Sequence, residues 1–399
     1  MTTVLISGAS IAGPALAYWL DRYGFEVTVV EKASALRGGG YPIDIRGTAL
    51  GVVERMSLLP QLREAHVDTR RISFLNPDGS VVAALRPEAI AGGVDGRDLE
   101  VRRGDLAKLL HSATRDGVEY LFDDTVTALD DRPESVDVTF RSGRRRTFDL
   151  VIGADGLHSG VRALTFGPEE QFHRYLGYCF AGFTVRNDFG LSREGVLWST
   201  PGRGAALYAV GDSDHVHGFL SFARPEPPFD AFRDPAAQRE LVASVFAGDG
   251  WEIPRLVDAM RAADDLFFDV VSQIHLLRWS SGRVALIGDA AYAPSFLTGQ
   301  GSSIALVGAY VLAGELATRA DHTAAFEAYE QTARPFVELN QALVSEGNAS
   351  MFPNTAEALA ARNAELSRRS TLPTATDRPE YSALELPDFT DRLPSGSRA

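Results

Sequence analysis

Cysteine is all but missing. Of 399 residues only Cys179 carries a thiol, which excludes an intrachain disulfide framework and any multi-thiolate metal or iron–sulfur site within the chain. That scarcity fits a reducing compartment, and a cytoplasmic location is the expectation. Lysine is as rare: the 39 basic residues include only Lys32 and Lys108 as lysines, which leaves few candidates for Schiff-base chemistry. Positive charge is in deficit, 39 basic against 53 acidic residues for a net −14, so neither nucleic acid nor an anionic membrane is an expected partner. Only Val4 to Leu20 approaches the ~18 apolar residues of a bilayer span. No basic residue precedes it, Gly8, Ser10, Gly13 and Pro14 lie inside it, and Asp21 and Arg22 follow at once, so it reads as neither a signal peptide nor a membrane helix. What is present, 45% hydrophobic and 23% charged residues, is ordinary for a globular protein with one large core or two smaller ones.

The chain opens on a βαβ unit: a buried strand from Thr3 to Ser7, a helix from Ile11 to Tyr23 ending at Gly24, and a β-branched strand from Phe25 to Val30. Helical spacing is read from Leu99 to Thr114, a surface strand at Val136 to Phe140, and a buried strand at Phe148 to Ile152. From Tyr175 to Ala223 four apolar segments separated by Gly, Pro and Asp turns predict an antiparallel sheet. Helices are expected at Pro235 to Phe246 and Ile253 to Ala263, a strand at Val284 to Ile287, and helices again at Ser303 to Leu316 and Ala324 to Leu366. Thr371 to Ala399 reads as a loosely ordered polar tail. The fold class is therefore α/β: a discontinuous Rossmann-like domain (1–70, 98–170 and 280–322), an inserted β-rich domain (71–97 and 171–279), a carboxy-terminal helical region (323–370) and the tail (371–399).

The first βα turn, Gly8-Ala9-Ser10-Ile11-Ala12-Gly13, is a dinucleotide fingerprint with serine at the middle glycine position. Gly8 permits the tight turn, Gly13 the close approach of helix to strand, and the helix amino terminus presents free amides to a pyrophosphate. Glu31 follows Gly8 by 23 residues, near the ~20 expected of the acid that binds a ribose diol. A plain glycine turn with an exposed glutamate is the bland alternative, and the order strand, turn, helix, strand, acid weighs against it.

Two further strands empty into Gly-Asp segments, Leu150 to Arg162 (LVIGADGLHSGVR) and Val284 to Ser303 (VALIGDAAYAPSFLTGQGSS). With the first turn, they make the chain resemble the FAD-dependent aromatic hydroxylases of the para-hydroxybenzoate hydroxylase type, including the tetracycline-inactivating monooxygenases, up to about residue 345. The resemblance implies FAD and NAD(P)H as cofactors, NADPH slightly preferred, and an oxygen atom transferred from a flavin hydroperoxide to a small aromatic or polyketide-like molecule, by hydroxylation or less often by insertion beside a carbonyl.

It also implies site residues. Asp289 would bind the ribityl chain, while Gly299, Gln300, Gly301, Ser302 and Ser303 open a helix toward the flavin's pyrimidine edge, with Gly288 before them. Pro294 would shape the loop beside the ring. Arg103, with Arg102 beside it, would reach FAD phosphate or ribityl oxygens; a helix-start arginine paired with Asp105 is the alternative. Asp155 and Gly156 resemble the motif joining FAD and NAD(P)H binding, a strand-end structural role being the alternative. Lys32 beside Glu31, and Val126, belong to the same expected FAD contacts. Arg37 aligns with a nicotinamide contact and Asp44 with a flavin contact. No catalytic side chain is assigned. Phe183, Arg186, Trp198, Tyr208, His217 and Phe219 are the substrate candidates, although most aromatic residues on such strands are core.

Three departures stand out: Tyr292 where the family has histidine, Ser303 where it has asparagine, and Gly308 where an acidic residue is common. A flavin-dependent halogenase is the first alternative, because Trp251-Glu252-Ile253-Pro254 resembles half of that family's Trp-x-Trp-x-Ile-Pro motif, with Asp249 at the earlier tryptophan position. A non-catalytic flavin- or drug-binding resistance protein is the second. The expected state is a monomer or homodimer.

Overall fold

The computed structural model describes residues 1–36, 40–91, 96–228, 231–232, 234–344, 353–369 and 378–389. At its centre is a six-stranded sheet in the order Ser280–Ser281, Val284–Leu286, Leu150–Gly153, Thr3–Ser7, Glu26–Val30, Glu119–Leu121. All neighbours run parallel except the first pair. The middle strands are β-branched and almost wholly buried, because helices cover the sheet. The helix Gly301–Thr318 lies inside this core between Ala12–Arg22 and His322–Gln341, with Ser303 to Glu315 all buried. It is the one helix among the described residues long and apolar enough to cross a membrane, and it is instead packed in protein.

A seven-stranded sheet stands beside it in the order Phe267–Ile274, His173–Arg186, His215–Ala223, Arg203–Ala209, Glu194–Thr200, Arg71–Leu75, Val81–Leu85. The sequence predicts an antiparallel sheet; one junction differs, since Glu194–Thr200 pairs parallel with Arg71–Leu75, which arrives from a distant part of the chain. Alternation sorts its side chains. Cys179, Phe183, Trp198, Leu207, Leu220 and Phe222 face the helices Pro235–Val245 and Ile253–Ala262 and share a core with Val242, Leu256 and Met260. Tyr208, His217 and Phe219 take the other face, toward the first domain.

Leu99 to Thr114 is not one helix. Leu99–Arg102 is a strand paired antiparallel with Pro42–Ile45, and the helix begins at Arg103. The four residues alternate between buried and half-buried, a period of two that the following leucine spacing hides. The carboxy-terminal segment is also more ordered than predicted. Between Arg378 and Phe389, Tyr381 and Phe389 are buried, Thr48 Oγ1 donates to Leu384 O at 2.7 Å, and Arg55 and Tyr310 both donate to Pro387 O. Gly314 makes room for the Phe389 ring, which would lie 2.0 Å from a Cβ at that position.

Candidate flavin and substrate cleft

The first turn is built by backbone contact. Gly8 has φ +110°, and a Cβ there would lie 2.4 Å from Ala154 O; a Cβ on Gly13 would lie 1.9 Å from Gly8 O. Only glycine lets the helix Ala12–Arg22, the strand Thr3–Ser7 and the Asp155 turn meet this closely. Ile11, at the helix N-cap, supplies no side-chain cap, so the first amides of Ala12 and Gly13 stay open to a ligand. Glu31 accepts from Ala9 N and Ala33 N, both at 2.9 Å, which fixes its carboxylate beside the turn. Lys32 is exposed next to it, and Val126 is core at the edge of a three-stranded sheet. Arg103 Nη2 donates to Ser10 Oγ at 2.9 Å, so the arginine reaches the dinucleotide turn itself, and the serine hydroxyl is its partner.

Asp155 has a different task from its neighbours. Its Oδ2 accepts from Val161 N at 3.1 Å and its Oδ1 from Ser159 Oγ, so it organises the start of the helix Gly160–Phe166. Gly156, at φ +86°, has open space on the Cβ side. Arg162, fully buried, donates to Ala290 O at 2.9 Å and to Glu169 Oε2 at 2.5 Å, tying that helix to the Asp289 segment.

Asp289 is the floor of the cleft. Gly288, at φ +61°, brings this turn against Ala12, where a Cβ would sit 3.0 Å from the alanine methyl. Protein surrounds the Asp289 carboxylate closely enough that burial pushes its carboxyl above the ordinary range, against the pull of Arg103. Its side chain nevertheless stays solvent-accessible and accepts no hydrogen bond from a described residue. Those two observations are compatible only for a group lining a deep cleft. Past it, Pro294 is buried and its carbonyl accepts from Gln273 Nε2 at 3.1 Å, while Ser295 adopts φ +79°, a strained value for a serine. Gln300 is wholly buried, and the helix beginning at Gly301 has no side-chain cap, leaving the Gly301 and Ser302 amides facing the cleft.

Asp44 closes the opposite side. A Cβ on Gly299, itself at φ +67°, would lie 2.8 Å from Asp44 Oδ2, so the carboxylate rests against that glycine. Arg46 Nη2 donates to Asp44 Oδ1 at 2.7 Å; burial pushes the Asp44 carboxyl up and this ion pair opposes it. Ser303 Oγ accepts from Arg46 N at 3.1 Å and donates to Asp44 O at 3.2 Å, so its hydroxyl serves the Asp44 strand rather than a ligand. Arg37 lies outside the described residues.

The substrate candidates divide. Phe183 and Trp198 are corrected: both lie on the helix-covered face, Phe183 against Gly218 and Trp198 stacked on Trp251 at 6.2 Å, because odd and even positions of one strand cannot face the same way. The same stacking makes Trp251 a packing residue. Arg186 is corrected too: its side chain is 80% exposed, pairs with Asp188, and lines an open surface cleft of about 440 Å³ on the helix side. Tyr208, His217 and Phe219 face the first domain, Phe219 with Tyr41 at 5.8 Å. The sequence reading missed Tyr41, Thr69 and Glu100, which complete that wall, and His158 and Asp269, which join the turn after Leu150–Gly153 to the strand Phe267–Ile274 at 3.1 Å. The Leu-Glu-Val-Arg alternation was the available signal for Glu100; no local signal marked the others.

The residues fit FAD: a carboxylate that accepts no hydrogen bond from a described residue suits a hydroxyl-bearing chain, and two uncapped helix starts suit a pyrophosphate and an electron-rich ring edge. Comparison with known proteins agrees. A family model described as "FAD binding domain" matches residues 1–343. The chain is 36% identical to a flavin-dependent monooxygenase from an unknown prokaryotic organism, over 97% of this chain and 98% of that protein. It is 47% identical to an uncharacterised protein of Mycobacterium tuberculosis (strain ATCC 25618 / H37Rv), over 87% and 93%. Among solved structures it is similar to the tetracycline destructase Tet(55), with TM-score 0.82, 35% identity, and 96% and 98% of the two chains covered. Klebsiella pneumoniae HpxO, solved with FAD and uric acid, shares the fold at TM-score 0.72 and 22% identity over 92% and 93%.

Proposed function

The chain belongs to the FAD-dependent monooxygenases of the FAD binding domain family, and from that premise we propose that it uses NAD(P)H, NADPH before NADH, to insert one oxygen atom into a small aromatic or polyketide-like molecule held between Asp44 and the Tyr208–Phe219 wall. The observation that carries this reading is Asp289, a carboxylate that accepts no hydrogen bond from a described residue and lies between two uncapped helix starts. Bound there, FAD supplies hydride acceptance and the activation of molecular oxygen.

The chain's own residues do the rest. Glu31, Arg103 and the Gly8–Gly13 turn hold the nucleotide end, and Asp289 with the Gly301 and Ser302 amides holds the isoalloxazine end. Asp44, kept in place by Arg46 and Ser303, limits how far a ring can slide toward Gly299. Tyr41, Phe219 and Phe180 exclude water from the reacting face, and Phe180 meets Phe296 at 4.6 Å. No side chain is required as a general base for oxygen insertion itself. The Tet(55) likeness makes tetracycline one member of the substrate panel; simple phenols and polycyclic aromatics are the others.

The test is a reconstituted holoenzyme assayed for NADPH and NADH oxidation across that panel, with products identified by mass and with chloride present or absent. A product heavier by one oxygen supports the reading. A chlorinated product, or oxygen uptake never faster than free flavin, contradicts it.

A further inference from the structure

The chain beyond the helix Ala356–Arg369 comes back to the flavin cleft. Its short helix Pro379–Ser382 is held from two sides: the buried Asn340 donates from Nδ2 to Glu380 O at 3.0 Å, and the next carbonyl, Tyr381 O, rests against Gly47. Gly47 has φ +53°, and a Cβ there would lie 2.0 Å from that oxygen, so only glycine admits the segment this closely. Immediately before Gly47 stands Arg46, the partner of Asp44.

The Tyr381 side chain is buried, and the Arg46 guanidinium lies 5.9 Å from its ring centroid. Burial pushes the Tyr381 hydroxyl above its ordinary range, against the charges of Arg378 and Arg46 and a bond from Arg46. The same guanidinium donates from Nη2 to Asp44 Oδ1 at 2.7 Å, so it stands between an aromatic ring and a carboxylate. Each contact in this series fixes something different. Ser303 holds the main chain at Asp44 O and Arg46 N, which leaves the direction of the Asp44 carboxylate to Arg46. A long side chain with many rotamers keeps its head in one place only where something holds it, and Tyr381 is what meets the Arg46 head from the side away from Asp44. The far carboxylate oxygen, Asp44 Oδ2, is the one that rests at Gly299.

We propose that Tyr381 is a positioning residue of the flavin site: it holds the Arg46 head, Arg46 aims the Asp44 carboxylate at the Gly299 turn, and the segment Arg378–Phe389 is the strap that brings Tyr381 there. This rests on the monooxygenase reading of the same cleft and adds to its machinery a residue from the far end of the chain. The strap's other end serves as an internal control. Phe389 packs against Gly314, roughly 20 Å along the helix from Gly301, so it fastens the strap without touching Arg46 or Asp44.

Full-length holoenzyme is compared with Tyr381→Phe, Asp44→Asn, the double variant and Phe389→Leu. FAD affinity is read from flavin fluorescence on dilution, the seating of the ring from the visible flavin absorbance, and folding from the melting temperature. Tyr381→Phe keeps the packing and loses the hydroxyl; it is expected to weaken FAD about threefold to tenfold and to move the absorbance toward that of free FAD. In the Asp44→Asn background the same change should alter FAD affinity by no more than about twofold, because the link is already cut. Phe389→Leu should lower the melting temperature and leave FAD affinity and absorbance as in the wild type. Arg46→Lys, which keeps the charge and loses the planar fork, should reproduce the Tyr381→Phe result and keeps the test readable if that variant does not fold. The proposal is overturned if Tyr381→Phe and Arg46→Lys bind FAD as the wild type does, if the Tyr381→Phe effect is undiminished in Asp44→Asn, or if Phe389→Leu matches it. NADPH-driven oxygen uptake is read on the same samples: wild-type FAD binding without uptake counts against the monooxygenase reading, whereas normal uptake with additive variants counts against Tyr381 alone.

Discussion

The hydroxyl of Tyr292 occupies the space that a side chain at position 308 would need: a Cβ built on Gly308 would lie 2.0 Å from Tyr292 Oη. Tyrosine at 292 therefore requires glycine at 308, and the two residues fit as one packing unit. Tyr329 Oη donates to Tyr292 Oη at 3.0 Å, and Trp279 packs on both rings, so the unit is sealed from the cleft.

Gly308→Ala should accordingly destabilise the protein despite the ~1 kcal/mol that alanine gains over glycine in a helix, because overpacking costs roughly 1–3 kcal/mol. Tyr292→Phe removes the clashing atom and leaves Cζ at 3.3 Å from the new methyl. A denaturant double-mutant cycle should show a coupling above about 1 kcal/mol, with the double mutant more stable than Gly308→Ala. Additivity of the two changes would refute the packing unit.

Asp289→Ala separates folding from cofactor binding. The carboxylate is solvent-accessible and receives no hydrogen bond from a described residue, so removing it takes no internal contact from the apoprotein. The apoprotein should melt at the same temperature or higher, while the upward shift on adding FAD shrinks. Calorimetry with and without FAD reads both; a lower apoprotein melting temperature with an unchanged FAD shift would be the opposite result.

His158, in the turn after the strand Leu150–Gly153, bonds to Asp269 of the strand Phe267–Ile274 at 3.1 Å and to Glu169 at 2.7 Å, and these bonds push its pKa up to about 10. The folded value lies above the ordinary 6.5, so this stabilisation is fully present below about pH 6.5 and is lost as pH rises through about 10. Urea midpoints should fall across that window, and His158→Gln should flatten this part of the profile. An identical alkaline slope in the variant would remove His158 from the explanation.

Phe183 and Phe219 sit on one sheet and face opposite ways. Phe183→Ala should cost about 3–5 kcal/mol of stability as a buried ring is lost, with KM for an accepted substrate little changed in the folded fraction. Phe219→Ala should do the reverse, raising KM at a modest stability cost. Steady-state kinetics beside denaturation curves distinguish them.

The βαβ opening and the strands that run into the Asp155 and Asp289 turns were legible because each rests on local rules: apolar periodicity, glycine where backbones touch, an acid one strand later. The sheet's facing was not. Which alternate residues of a strand point to the cleft depends on what covers each side, and the covering helices begin only at Pro235 and Ile253, far along the chain from Phe183. The parallel junction with Arg71–Leu75, the ring of Thr69, Glu100 and Tyr208, and the docking of Tyr381 and Phe389 are likewise long-range pairings that no window of neighbouring residues contains.

The central claim is that this cleft uses FAD and NAD(P)H to place one atom of molecular oxygen on an organic substrate. The most direct measurement is turnover of the FAD-loaded protein with NADPH under isotopically labelled oxygen gas, in unlabelled water, with product read by mass spectrometry. One labelled oxygen per product molecule, dependent on both NADPH and FAD, is the predicted result; oxygen arriving from water, or product forming without NADPH, would contradict the account.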